Sequence, residues 1–289
     1  MEAHVLETER QRLDLDAGEF RAKFAREPLR VGHSLAGHPL LSLEAIARLA
    51  DELPDTAVER HQADLPVFMP GGAPELTGPA AETVLGIESN NCWMVLWDIE
   101  RIPRYEALLD ACVDEAQRLF PADVRGGAID RRAFLFLSAP DAVTPTHIDA
   151  EHNLLLQIRG VKDMNVGRFD DPADQQRELD RLHDGGHRNL ERMPEQFTQY
   201  RLHPGEGVYV YPFAPHWVKN GPAASVSLSI TFRTLASSRA ERLHRFNARM
   251  RRFHLSPRPA GVSRIGDEAK LALMEAIRKV RPKVTGPHR

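Results

Sequence analysis

His147 and Asp149 are of types that bind divalent metal ions, and they stand two residues apart within the stretch 144–162. On an extended strand, residues i and i+2 project from the same face, so an imidazole and a carboxylate can converge on one point. A third ligand has to come from a distant strand. His216 meets that need, since it closes the stretch Pro-Gly-Glu-Gly-Val-Tyr-Val-Tyr-Pro-Phe-Ala-Pro-His, which also reads as β-rich. Two histidines and one carboxylate on one face of an ion leave three positions open, enough to admit a co-substrate and dioxygen. A bare His-x-Asp pair is common by chance and means little alone. Here both ligand-bearing segments lie at strand edges beside turns, Thr-Pro-Thr before His147 and Pro-Gly-Glu-Gly before the strand leading to His216. His183, His187 and His203 fall in helical or loop-like segments and read as solvated, while His152 alternates to the opposite face from His147.

The elements that must position these residues follow from the patterning. Short strands are expected at 133–138, 144–149, 152–159 and, after a tight turn at Gly160, 162–169, then at 197–202, 207–211 and 224–234. Closely spaced antiparallel strands with Gly and Pro turns predict an all-β core with flanking helices, arranged as a double-sheet jelly roll. A helical segment at 171–183 and a Gly185-Gly186 break interrupt the series, an insertion that reads equally as a lid or as a surface excursion. Upstream, 7–26 has the spacing of a weakly amphipathic helix closed by Pro28. Ser42 caps a short helix with Ile46, Leu49 and Leu53, 65–79 is a Pro- and Gly-rich loop, 91–99 a buried strand, and 101–120 an amphipathic helix. After the core, Leu243, Phe246, Met250 and Phe253 share one face of a helix, with Arg242, Arg245, Arg249 and Arg252 beside them. A second helix aligns Leu273, Met274, Ile277 and Val280. The expected organisation is a helical and loop region over 1–90 packed on the core, a core domain over 91–236, and a helical pair over 237–289. The apolar faces of that pair either form a homodimer seam or pack back on the domain.

The 289 residues suffice for a full core, and one large domain with appendages is expected. The 38 Lys and Arg nearly balance the 41 Asp and Glu, so no global charge draws the chain to nucleic acid or anionic membranes. Cys92 and Cys112 have no metal-ligand spacing and read as free thiols in a reducing compartment. The first residues are charged and carry no apolar signal segment, and no stretch reads as a membrane span, so a cytoplasmic location is expected.

The run Thr144, His147, Asp149, Asn153, Gln157, Gly160 and Lys162, followed by Pro-Gly-Glu-Gly ahead of Pro-His-Trp and then by Ser-Ile-Thr-Phe, resembles a known family. It is similar to the Jumonji-C and cupin-like 2-oxoglutarate oxygenases, nearest to the branch with the asparaginyl hydroxylase of a hypoxia-inducible transcription factor. The resemblance covers about 133–233. It implies a double-stranded β-helix, cupin-like, with Fe(II) held by His147, Asp149 and His216 and with 2-oxoglutarate as co-substrate. It also implies that Thr144 and Lys162 hold the distal carboxylate and that Asn153 lies near the proximal end. Since 2-oxoglutarate chelates iron through its keto acid end, the protein must supply a cation for the far carboxylate. The last strand departs from the family pattern. Thr231 stands where an amide is expected, and Arg233, on the same face by alternation, competes with Lys162 as the anchor. Glu151 reads as a rim carboxylate.

The implied activity is that of a 2-oxoglutarate-dependent dioxygenase, hydroxylating an unactivated C–H bond with release of succinate and carbon dioxide. A peptide, amino acid, nucleoside or natural product is the implied substrate, with RNA entering only in that role. Two other readings stay open. A cupin-type metalloenzyme that does not use 2-oxoglutarate would lack an anchoring cation. A cupin-fold ligand-sensing regulator would need a DNA-reading element, for which the arginine stripe over 239–252 is the only candidate and lacks a helix-turn-helix pattern.

Overall fold

The computed structural model describes residues 12–280, apart from the side chains of Arg278 and Val280. Twelve strands follow in chain order: β1 (Leu13–Asp14), β2 (Leu29–His33), β3 (Val58–Gln62), β4 (Cys92–Leu96), β5 (Ile129–Ser138), β6 (Val143–His147), β7 (His152–Arg159), β8 (Lys162–Gly167), β9 (Phe197–Leu202), β10 (Glu206–Val210), β11 (His216–Asn220) and β12 (Ser225–Arg233). They form a larger sheet, β1-β2-β10-β7-β12-β5-β4-β3, and a smaller one, β6-β11-β8-β9. From β5 onward the chain crosses repeatedly between the two, with β5, β7, β10 and β12 in the larger sheet and β6, β8, β9 and β11 in the smaller. This is the expected jelly-roll arrangement, an all-β core with flanking helices.

The central strands of the larger sheet are buried on both faces, which is why Leu154-Leu155-Leu156 runs without a polar break. Leu154, Leu156, Ile230 and Phe232 face the covering helices. Leu155 meets Met164, Val166, Val208 and Val218 between the sheets. A one-residue slip of β7 would turn Asn153 toward the helices and Leu154 toward the cavity, so burial on both sides pins the register that aims Asn153. The helices are α1 (Ala17–Lys23), α2 (Leu43–Glu52), α3 (Ala80–Leu85), α4 (Pro103–Gln117), α5 (Pro172–His183), α6 (Leu235–Arg252) and α7 (Arg264–Val280). Ser42 caps α2 through its hydroxyl, and Pro103 opens α4, whose Tyr105, Leu108, Leu109, Cys112 and Ala116 are buried.

Among the elements that differ from expectation are β1, β3 and β11. Within the described part of 7–26, Leu13 and Leu15 are buried at a spacing of two, so the chain enters the sheet edge as β1 before Asp16 caps the short α1. Residues 7–11 lie outside the described part. The polar Val-Glu-Arg-His-Gln of β3 pairs with β4 as an outer strand, and an edge position needs no apolar alternation. His216 does not merely follow a strand but opens one, β11, whose burial alternates along His-Trp-Val-Lys-Asn.

Three members of the arginine stripe of α6 are paired within the protein: Arg242 with Glu275 at 3.8 Å, Arg245 with Glu241 at 2.7 Å and Arg252 with Asp184 at 3.1 Å. Both cysteines are buried and free, and no described helix is long and apolar enough to cross a membrane.

Candidate metal centre and its cavity

β6 ends at His147, so Asp149 projects from the start of the link to β7 rather than from the strand itself. That link is pinned: Phe213 N donates to the Asp149 carbonyl at 2.7 Å and Ile148 N to the Arg188 carbonyl at 3.3 Å. His216 pairs directly across from His147, with ring centroids 4.1 Å apart. The Nε2 atoms of both rings lie 3.5 Å from Asp149 Oδ2, and the three ligand atoms are all within 4.8 Å of one another. Among the described residues no other group of His, Cys, Asp or Glu converges in this way.

The tautomers are set by the backbone. His147 Nδ1 donates to the Pro145 carbonyl at 2.8 Å and His216 Nδ1 to the Ala214 carbonyl at 2.9 Å, which leaves each Nε2 with its lone pair facing the shared point. Burial, with His216 and Arg188 nearby, drives the His147 pKa down to about 4, so the ring is neutral. Burial works against the Asp149 charge, but the Arg188 guanidinium outweighs it and holds the carboxyl well below its ordinary value. Two lone pairs and an anionic oxygen aimed at one point repel one another unless a cation sits among them. A divalent ion fits that donor set.

The cluster opens on a cavity of ≈ 260 Å³ between the sheets. Along β8, Val166 is level with His216, and Lys162 lies four residues deeper, about 13 Å at about 3.3 Å per residue. Lys162 is 3 % exposed and has no ion-pair partner among the described residues; its ammonium nitrogen lies 6.0 Å from the Phe136 ring centre. Burial lowers its pKa to about 7. Thr144 lines the same cavity between the metal position and Lys162. Asn153 accepts from the Ser229 hydroxyl at 2.8 Å, which leaves its amide nitrogen to donate inward, and the buried Thr231 hydroxyl has no partner among the described residues. An unpartnered buried cation, a free amide and a free hydroxyl in one cavity suit a dicarboxylate that reaches from the metal to Lys162.

Arg233 is not brought into this cavity. The register of β12 against β5 shifts between Thr231 and Arg233, so the alternation expected over those residues breaks. Its guanidinium instead pairs with both Glu151 and Glu241. Glu151 does line the cavity, at the mouth. Two residues of that mouth had no sequence signal. Arg188 comes from the insertion and pairs with Asp149 at 3.2 Å, and Trp97 is tied by its indole N–H to Glu59 at 2.8 Å. His152 sits on the helix side, as its phase requires, bound to the Tyr209 hydroxyl at 2.8 Å.

No protein-family model matches the chain, and no curated protein matches it either. Solved structures do. The X-ray structure of Escherichia coli ycfD aligns with a TM-score of 0.53 at 18% identity, over 92% of this chain and 69% of that one. The chain has the fold of YcfD. A second structure, described as YcfD, a ribosomal oxygenase from Escherichia coli, in complex with cobalt and 2-oxoglutarate, aligns with the same score and identity over 93% of this chain and 69% of that one.

Proposed function

We propose that the protein is an Fe(II)- and 2-oxoglutarate-dependent oxygenase that hydroxylates an unactivated C–H bond, with release of succinate and carbon dioxide. The observation that carries this reading is Lys162, buried and unpaired at the floor of the cavity whose wall holds His147, Asp149 and His216. These three would hold Fe(II), which supplies the activation of dioxygen when bound. Lys162 pairs with the far carboxylate of 2-oxoglutarate, helped by the Thr144 hydroxyl, while Asn153 and Thr231 offer donors nearer the keto acid. Arg233 has no part in co-substrate binding, because two glutamates already neutralise it. The YcfD complex with cobalt and 2-oxoglutarate supports the same pair of ligands for a protein of this fold.

A cupin-type enzyme that does not use 2-oxoglutarate gives no role to a desolvated lysine, and the candidate element of a DNA-binding regulator has three of its four arginines in ion pairs within the protein. The prime substrate meets the mouth formed by Trp97, Arg132, Glu151 and Arg188. The motif resemblance to the asparaginyl hydroxylase branch favours a peptide side chain among the candidate substrates. In this reading residues 91–236 carry catalysis, the described part of 1–90 completes the sheet, and the described part of 237–289 supports a homodimer.

The test is spectroscopic. Under anaerobic conditions, Fe(II) with 2-oxoglutarate is expected to give a weak visible charge-transfer band that disappears in His147→Ala and in Asp149→Ala, since two remaining ligands hold the ion poorly. A band unchanged in both variants overturns the assignment.

A further inference from the structure

We propose that Arg188 is a positioning residue for the metal-binding carboxylate, holding Asp149 so that one oxygen alone faces the metal. The inference rests on the metal reading above and deepens it. The two oxygens of Asp149 have separate surroundings: Oδ2 is 3.5 Å from each histidine Nε2, whereas Oδ1 accepts from Arg188 Nη1 at 3.2 Å. A carboxylate that turned to ligate through both oxygens would take a second position on the ion. By occupying Oδ1, Arg188 confines Asp149 to one position and keeps three open for the bidentate co-substrate and dioxygen.

Arg188 is itself well placed for this. Its carbonyl accepts from Ile148 N, and Leu190 N donates to the Thr146 carbonyl at 2.9 Å, so residues 188–190 lie against the strand that carries His147. Asn189 ties that segment to the far loop, donating to the carbonyls of Met69 at 3.0 Å and Gly71 at 2.7 Å. The guanidinium lies 6.0 Å from the Trp97 ring centre, and Glu59 fixes Trp97. Arg188 and Asp149 are 26% and 25% exposed, so the pair is largely shielded from solvent. Loss of an outer partner of a metal ligand typically costs about 10- to 100-fold in metal affinity. Residues 188–190 of the insertion are therefore part of the site.

Apo protein titrated anaerobically with Co(II) tests the proposal, with affinity read by calorimetry and coordination by the visible absorption of the ion. Arg188→Gln is expected to bind about 10- to 100-fold more weakly and to give an altered Co(II) spectrum. Arg188→Lys, which keeps the charge but not the planar fork, recovers part of both. Asn189→Ala loosens the segment that carries Arg188 without removing the guanidinium and is expected to lower Co(II) affinity less than Arg188→Gln does. Wild-type affinity and spectrum in Arg188→Gln overturn the proposal, as does a loss in Asn189→Ala equal to that in Arg188→Gln. Equal Co(II) binding by wild type and His147→Ala sinks the metal reading itself, which separates the two failures.

Discussion

Lys162 shows how one residue can be held at the expense of the apo protein. Its folded pKa of about 7 lies below the ordinary value of 10.5, so the unfolded chain binds more protons between those pH values. The destabilisation is therefore complete below about pH 7 and fades as the pH rises toward 10.5. Lys162→Met is expected to melt higher than wild type as apo protein, by about 2–4 °C for each kcal/mol gained. The gap should narrow between pH 7 and pH 9, and a gap independent of pH in thermal melts contradicts the assignment. The same residue decides co-substrate affinity. Removing one partner of a buried ion pair costs about 3–5 kcal/mol, and at about 1.4 kcal/mol per tenfold that is a loss of two to three orders of magnitude. Lys162→Ala is thus expected to raise the 2-oxoglutarate requirement for succinate formation at least about a hundredfold. Arg233→Ala should leave that requirement nearly unchanged, and the reverse ranking would make Arg233 the anchor.

Among the elements, the β7–β8 connection ties the site together, since it joins the strand that carries Asn153 in the larger sheet to Lys162 in the smaller one. Gly160 sits in that turn at a φ of 73°, and a Cβ there would lie 2.5 Å from the Ala224 carbonyl oxygen. Gly160→Ala combines left-handed strain of about 1–2 kcal/mol with a backbone clash that only movement of the turn relieves. A lower melting temperature together with weaker 2-oxoglutarate binding is expected, because the moving element carries the anchor. A melting temperature equal to wild type would show that the turn yields freely. Gln157 braces the same turn, donating to the Arg159 carbonyl at 2.6 Å and to the Ser225 hydroxyl at 2.9 Å.

At the scale of the whole molecule, the helical pair that follows the core leaves apolar side chains in solvent. Ile265 is 85% exposed, Leu273 50% and Ile277 42%. Val280, the last residue of the expected stripe, has a side chain outside the described part. A second copy would cover such a face through a two-fold seam. Light scattering is expected to give the mass of a dimer, and Ile277→Glu a monomer or aggregate, because the seam would then bury a charge. A monomer mass for the unmodified protein refutes the seam.

Local chemistry was enough for much of this protein. The spacing of His147 and Asp149, the Gly160 turn and the short apolar runs of most strands from β5 to β12 depend on a few neighbouring residues, and they are legible in the sequence for that reason. So was the phase of His152, which points away from the site. Closure of the two sheets decided the rest. The tertiary structure recruited β1, β2 and β3 to the larger sheet, since a polar edge strand such as β3 carries no apolar signature of its own. It turned Arg233 out of the cavity, because a register shift between two strands is a property of the pair and not of either sequence. It also brought Arg188 to Asp149 across 39 residues of chain, a contact set by where the insertion docks, which no local spacing encodes.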